Sequence, residues 1–169
     1  RRGAPGAGAD EHDRGQQPLT VEQVDHREPR HGPYAHAGGP PAAREGRLAM
    51  MASGPGEAVA LAKPWLARIG RAVYVLGDKP GQAQIMKVVN NIVMATNLVV
   101  ASEGLVMGAK AGLDAQAMIE VLRAGTGHSA AASDILARSA LPGTFDFGAH
   151  LSIVEKDVHL GLDEAAALG

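Results

Sequence analysis

Cysteine is absent from the 169 residues, which excludes a disulfide framework, cysteine-based zinc sites and thiol catalysis. Aromatic residues make up only 3%. A core must therefore be built from Ala, Val, Leu, Ile and Met, and the stacking platforms of single-strand nucleic-acid modules are missing. No sign of charge dominates: 16 Lys+Arg stand against 18 Asp+Glu, a net charge of -2. That is neither the basic surplus of a nucleic-acid binder nor the acidic surplus of a solvating tail, so no nucleic-acid partner is expected. The longest uncharged run of interest, Val88 to Ser102, is shorter than the roughly 20 residues of a membrane span and is interrupted by Asn90, Asn91, Thr96 and Asn97. No membrane partner is expected. Arg1 and Arg2 have no apolar stretch behind them, so no signal peptide is expected and the expected location is cytoplasmic. Hydrophobic residues reach 46%, enough for a core in one domain, or one domain plus a fragment of another.

The text changes character near residue 37. Before it, Leu19, Val21, Val24 and Tyr34 are the only large apolar residues, and four of the seven histidines (His12, His26, His31 and His36) are gathered there. Such a stretch cannot bury enough apolar surface to offset its ordering entropy. Residues 1–37 are expected to be disordered or out of frame, with at most a short helix around Pro18 to His26 capped by Thr20.

From Gly38 the pattern becomes globular. Gly38-Gly39-Pro40-Pro41 reads as a loop. Arg47 to Ala52 reads as a strand, Glu57 to Ile69 as a helix kinked or shortened by Pro64, and Ala72 to Leu76 as a second strand. Strand, helix, strand fits the end of an α/β sheet. Gln82 to about Ala111 follows a 3.6-residue period through Ile85, Val88, Val89, Ile92, Val99 and Val106. This predicts a helix of about 28 residues, roughly 42 Å. Apolar residues almost encircle its middle, so burial on all sides is expected. Shorter helices are expected from Asp114, as cap, to Ala124, over Ser129 to Ser139 and over Leu151 to Leu168, with a loop from Pro142 to Gly148. The fold class expected is the end of an α/β sheet, followed by an all-α domain built on a long central helix.

Lys87 is the most informative residue. It is the only charged side chain between Pro80 and Ser102, with Asn91 four positions later on the same helix face and Asn90 three later. A charge there must find water, a partner or a ligand. Desolvation would lower a lysine pKa and ease proton transfer near neutral pH. The plainer alternative is a packed stem with its head in solvent. Gly38 and Gly39 carry a similar pair of readings: backbone N–H groups that hold a carboxylate, or a simple turn. Gly3 to Gly8 is no dinucleotide fingerprint, since no strand precedes it and no helix follows. Asp10-Glu11-His12-Asp13 reads as solvated rather than metal-binding, and no metal is expected. Met50, Met51, Met86 and Met94 read as core filler.

Together these residues resemble a known family, the β-hydroxyacid dehydrogenases, which includes 3-hydroxyisobutyrate dehydrogenase and tartronate semialdehyde reductase. Gly38-Gly39-Pro40-Pro41-Ala42-Ala43-Arg44-Glu45-Gly46-Arg47-Leu48 is similar to its substrate loop, S-G-G-x-x-G-A-x-x-G-x-L. Gly77 to Asn91 is similar to the start of its catalytic helix, G-x-x-G-x-G-x-x-x-K-x-x-N-N, and Glu155-Lys156-Asp157-Val158 to its late K-D element. The sequence departs from the pattern at Ala37, Ala42 and Ala83, which replace the loop serine and two glycines.

The resemblance implies an oxidoreductase that uses NAD or NADP and acts on a small carboxylate substrate, a β-hydroxyacid or semialdehyde. It implies Lys87 as catalytic lysine, Asn91 as its partner in catalysis and substrate binding, and Gly38 and Gly39 as holders of the substrate carboxylate. It implies Lys156 near the cofactor, a structural role for Asp157, and a homo-dimer or higher assembly. It divides the chain into residues 38–78, the end of a Rossmann-type dinucleotide-binding domain, and 79–169, an incomplete all-α domain like that of 6-phosphogluconate dehydrogenase. On this reading the chain is truncated at its N-terminus and short of its closing helices. The competing reading is a non-catalytic helical dimerisation module or an inactive gene fragment.

Overall fold

The structure, a computed structural model, describes residues 33–169. The possible helix around Pro18 to His26 and the acidic cluster at Asp10 to Asp13 lie outside the described residues. Strand β1 (Tyr34–Ala37), helix α1 (Gly39–Arg44), strand β2 (Leu48–Ala52), helix α2 (Gly56–Ile69) and strand β3 (Gly70–Val75) form the first part. Helix α3 (Gln82–Lys110), helix α4 (Ala115–Ala124), a π-helix over Ala131–Ala140 and helix α5 (Leu151–Leu168) form the second.

The sheet has the order β1-β2-β3. β2 runs antiparallel to β1, with Tyr34 opposite Ala52 and Ala37 opposite Ala49, and parallel to β3, with Leu48 opposite Gly70 and Ala52 opposite Val75. The crossover is α2, as a parallel pair requires. β2 is the central strand, and four of its five residues are buried, the near-continuous apolar signature of a strand covered on both faces. The core here comprises Ala42, Leu48, Met50, Ala52, Val59 and Leu66; Met50 and Met51 are buried, as expected of filler, whereas Met86, expected to be filler too, is 39% exposed.

Five expectations need correction. Tyr34–Ala37, expected to lack order, form β1, because that strand is held by backbone pairing with β2 and needs few apolar side chains. The turn read at Gly38 to Pro41 opens α1, whose first positions tolerate proline because those N–H groups have no helical acceptor. Pro64 does not shorten α2, which runs on to Ile69. The segment after Ser129 is helical but has the wider π-helical winding over Ala131–Ala140. In it, the backbone N–H of Leu141 reaches the carbonyl of Leu136 at 2.9 Å, five residues back.

The largest correction concerns α3. Its 29 residues were expected to be buried all round, yet Ala83, Val88, Ala95 and Gly108 are its only buried residues. The sheet, α4, the π-helix and α5 pack on it but leave Val89, Val93, Val99, Val100, Val106 and Met107 exposed. By length and composition the helix could also cross a membrane, which the shorter uncharged run had not suggested.

The two parts are joined through Ser53. Its hydroxyl is fully buried and accepts a hydrogen bond from the backbone N–H of Ala83 at 2.9 Å. The first N–H groups of a helix lack intrahelical acceptors, and Gly81, the residue before α3, offers no side-chain cap. Ser53 supplies the missing acceptor from the end of β2. Gln84 adds a second tie, donating from Nε2 to the carbonyl oxygen of Tyr34 at 2.8 Å. These contacts set the start of α3, and hence Lys87, against the sheet.

Candidate active site

Lys87 and Asn91 sit one turn apart on α3, and the structure brings them together. Lys87 Nζ donates to Asn91 Oδ1 at 2.8 Å. Asn90 Nδ2 donates to the same oxygen at 3.2 Å. The other end of the Asn91 amide, Nδ2, donates to Asp157 Oδ2 on α5 at 2.5 Å. Lys156 Nζ donates to the second Asp157 oxygen, also at 2.5 Å. Five side chains from two helices thus form one hydrogen-bonded chain.

The crossing of α3 and α5 makes the chain possible. Gly161 is buried one turn beyond Asp157, and a Cβ there would lie 2.2 Å from Ile92 Cδ1 and 3.2 Å from Val88 Cγ1. Only a residue without a side chain lets the helices approach this closely. Val88 and Ile92 each follow a polar member of the chain, Lys87 and Asn91, so the close contact and the polar network share two turns of α3.

Burial lowers the pKa of Lys87, because the ammonium form loses hydration. Asp157 opposes this by attraction, and Lys156 adds to it by repulsion. The plainer alternative of a lysine head free in solvent is therefore not what the structure shows: the head is partly buried and engaged. A half-desolvated lysine with lowered proton affinity can take a proton from an alcohol, or return one to a carbonyl oxygen.

Gly38 and Gly39 do not join this chain. They form the turn from β1 into α1, both with positive φ (129° and 65°). A Cβ at Gly38 would stand 2.7 Å from that of Ala42, so glycine is required there by backbone conformation and by space. β1 packs beside α3, which puts the glycine turn and Lys87 on neighbouring elements. Lys156 is 66% exposed in its side chain and pairs with Asp157. Sequence reasoning gave Asp157 only a structural part, noted Asn90 beside Lys87 without giving it a role, and overlooked Ser53 and Gln84. The adjacent Asn90-Asn91 pair was the available signal for Asn90; Ser53 and Gln84 need the tertiary structure. No group of three or more metal-ligating side chains occurs among the described residues. A shallow hollow along Ser102, Glu103, Val106, Met107 and Lys110 begins 15 residues beyond Lys87, about 22 Å along the helix, and takes no part in the site.

A family model described as the NAD-binding domain of NADP-dependent 3-hydroxyisobutyrate dehydrogenase matches residues 81–169, more than half of the chain. The chain belongs to the β-hydroxyacid dehydrogenase family. A second model, the NAD-binding domain of 6-phosphogluconate dehydrogenase, matches residues 36–77. The 3-hydroxyisobutyrate dehydrogenase of Pseudomonas aeruginosa is 29% identical over 138 residues, 78% of this chain and 46% of that protein. The 2-hydroxy-3-oxopropionate reductase of Escherichia coli is 31% identical over 132 residues, 78% of this chain and 44% of that protein. The solved 3-hydroxyisobutyrate dehydrogenase of Mycobacterium tuberculosis with L-serine superposes with a TM-score of 0.72 at 28% identity, over 80% of this chain and 48% of that one. The chain spans less than half the length of each of these relatives. The small sheet is thus the end of a Rossmann-type sheet and the helices that follow belong to the family's all-α domain, as expected.

Both matching models are described as nicotinamide-dinucleotide binding. The described residues contain the hydrogen-bonded Lys87–Asn91 pair but no Gly-x-Gly-x-x-Gly turn between a strand and a helix. The pyrophosphate of a dinucleotide therefore has no cradle among them. They do not fit the phosphate end of such a site.

Proposed function

We propose that this chain carries the proton-exchanging half of an NAD(P)-linked oxidoreductase site of the 3-hydroxyisobutyrate dehydrogenase type, acting on a small β-hydroxyacid or the matching semialdehyde. The observation that carries the reading is the Lys87–Asn91 pair, held at 2.8 Å in a partly desolvated setting. A nicotinamide bound in the family's dinucleotide site supplies or accepts the hydride. The chain's own residues handle the proton. In the oxidation direction neutral Lys87 takes the hydroxyl proton; in reduction the ammonium gives a proton to the carbonyl oxygen. Asn91 holds Nζ in place through Oδ1. Gly38 and Gly39 are assigned to the substrate carboxylate and Lys156 to the cofactor, assignments supported by family membership and motif position.

The test is NAD+ or NADP+ binding and oxidation of 3-hydroxyisobutyrate by the purified chain, in wild type and Lys87→Met. Binding with turnover that falls about 10²–10⁴-fold in the variant, the usual share of a general acid–base group, supports the reading. Turnover unchanged in Lys87→Met removes it. Absence of nucleotide binding in the wild type removes it for this chain.

The assembly proposed is a homo-dimer in the cytoplasm. Met86, Val93, Val100 and Met107, between 39% and 71% exposed, recur at seven-residue intervals along α3, the spacing by which one helix seats on another. On this reading the apolar outer face of α3 is an interface rather than a membrane span. Sedimentation of wild type and Val93→Glu/Val100→Glu distinguishes the cases: a dimer that becomes monomeric supports it, and a monomeric wild type refutes it.

A further inference from the structure

Asp157 is the only acid in the hydrogen-bonded chain around Lys87, and the proton transfer described above gives it no task. Its side chain is 15% exposed, so its charge has been brought largely out of water at a cost that must be offset. An ionised carboxylate only accepts hydrogen bonds, and a lysine ammonium only donates them. Asn91 stands between the two with one accepting and one donating end, so these neighbours leave its amide a single orientation: Nδ2 toward Asp157 and Oδ1 toward Lys87. We propose that Asp157 is a positioning residue for Lys87, acting through Asn91, whose amide it locks with the oxygen facing the lysine. Its value for catalysis rests on the dehydrogenase reading; the arrangement itself does not.

Electrostatics runs in the same direction. Asp157 favours the protonated lysine, while Lys156 on the same helix disfavours it. The other elements packed on α3 carry Tyr34 and His36 on β1, Glu120 and Arg123 on α4, and Asp134 and Arg138 on the π-helix; none is among the charges acting on Lys87. Two neighbouring residues of α5 therefore push the lysine in opposite senses.

The experiment is an NMR pH titration of the five lysines, labelled at Cε, in the full chain, with Lys87 assigned by Lys87→Arg. Wild type is compared with Asp157→Asn, Asp157→Glu and Lys156→Met, and NADH binding is measured on the same samples. In Asp157→Asn the Lys87 midpoint is expected to move to lower pH, and the Asn91 side-chain amide to lose its strongly hydrogen-bonded proton signal. Asp157→Glu is expected to restore both in part, and Lys156→Met to move the midpoint to higher pH. A midpoint unmoved, or moved in the same sense by Asp157→Asn and Lys156→Met, overturns the proposal. If Asp157→Asn loses its thermal transition, Asp157→Glu and Lys156→Met decide alone: no upward shift in Lys156→Met overturns it. Opposite shifts without nucleotide binding leave the positioning role standing and remove the dehydrogenase reading. NADH binding with no shifts does the reverse.

Discussion

Replacing Gly161 by alanine sets two effects of similar size against each other. Alanine is favoured over glycine inside a helix by about 0.5–1 kcal/mol, so at an exposed site the change would stabilise α5. At Gly161 the new methyl would lie 2.2 Å from Ile92 Cδ1, 2.9 Å from Ile92 Cγ1 and 3.2 Å from Val88 Cγ1. The first contact is the free end of a side chain and can rotate away. The second is nearer the helix and moves only if Ile92 leaves its rotamer, at about 0.5–1.5 kcal/mol, or if the helices separate. Overpacking of this kind costs about 1–3 kcal/mol, which exceeds the helix-propensity gain. The expected net loss for Gly161→Ala is about 1–2 kcal/mol, read by urea unfolding. In an Ile92→Ala background the two nearest obstructing atoms are gone, leaving Val88 Cγ1 at 3.2 Å, and the same change should be close to neutral or stabilising, giving a coupling of about 1–3 kcal/mol in the double-mutant cycle. A Gly161→Ala variant as stable as wild type or more so, or a coupling near zero, would refute the claim that this glycine sets the approach of α3 and α5.

The remaining expectations are shorter. Ser53→Ala removes the acceptor for the Ala83 N–H at a buried position and should cost about 1–3 kcal/mol, with local hydrogen exchange rising first at the start of α3. Asp114 caps α4 by accepting from the Ala117 N–H at 2.8 Å, so Asp114→Ala should lower stability by about 1 kcal/mol, and Asp114→Ser should recover most of it. Burial lowers the folded-state pKa of Lys87 below its ordinary 10.5. Alcohol oxidation should therefore increase as pH rises through that lowered value, and carbonyl reduction should decline over the same range. The same sign applies to folding. The unfolded chain binds the Lys87 proton more tightly, so this group's contribution to stability falls as pH drops from 10.5 to the folded value and stays at its minimum below it. Oxidation that slows as pH rises through this window would contradict the base role.

Much of the second part was legible in the sequence because its signals are local. A 3.6-residue period predicts α3, a side-chain oxygen before an apolar run predicts the Asp114 cap, and four-residue spacing puts Lys87 beside Asn91. Pro64 and the Gly38-Gly39-Pro40-Pro41 run misled for the same reason. Each is a local breaker, and the surrounding contacts outweighed it in α2 and used it as a helix start in α1. β1 escaped notice because backbone pairing with β2 defines it, not its side chains.

The sequence by itself determined the residue types, the periods and the pairing along one helix face, since these depend only on chain geometry. It could not determine which side of α3 is covered, because an apolar residue reads the same whether it meets α5 or remains open. It could not show that Ser53 caps a helix 30 residues away in sequence, or that Asp157 meets Asn91 across 66 residues. Those pairings arise where β2 ends against the start of α3 and where Gly161 lets two helices close. The local sequence placed Asn90 and Asn91 beside Lys87, and only the tertiary structure added Asp157, with Lys156 next to it, to that chain of hydrogen bonds.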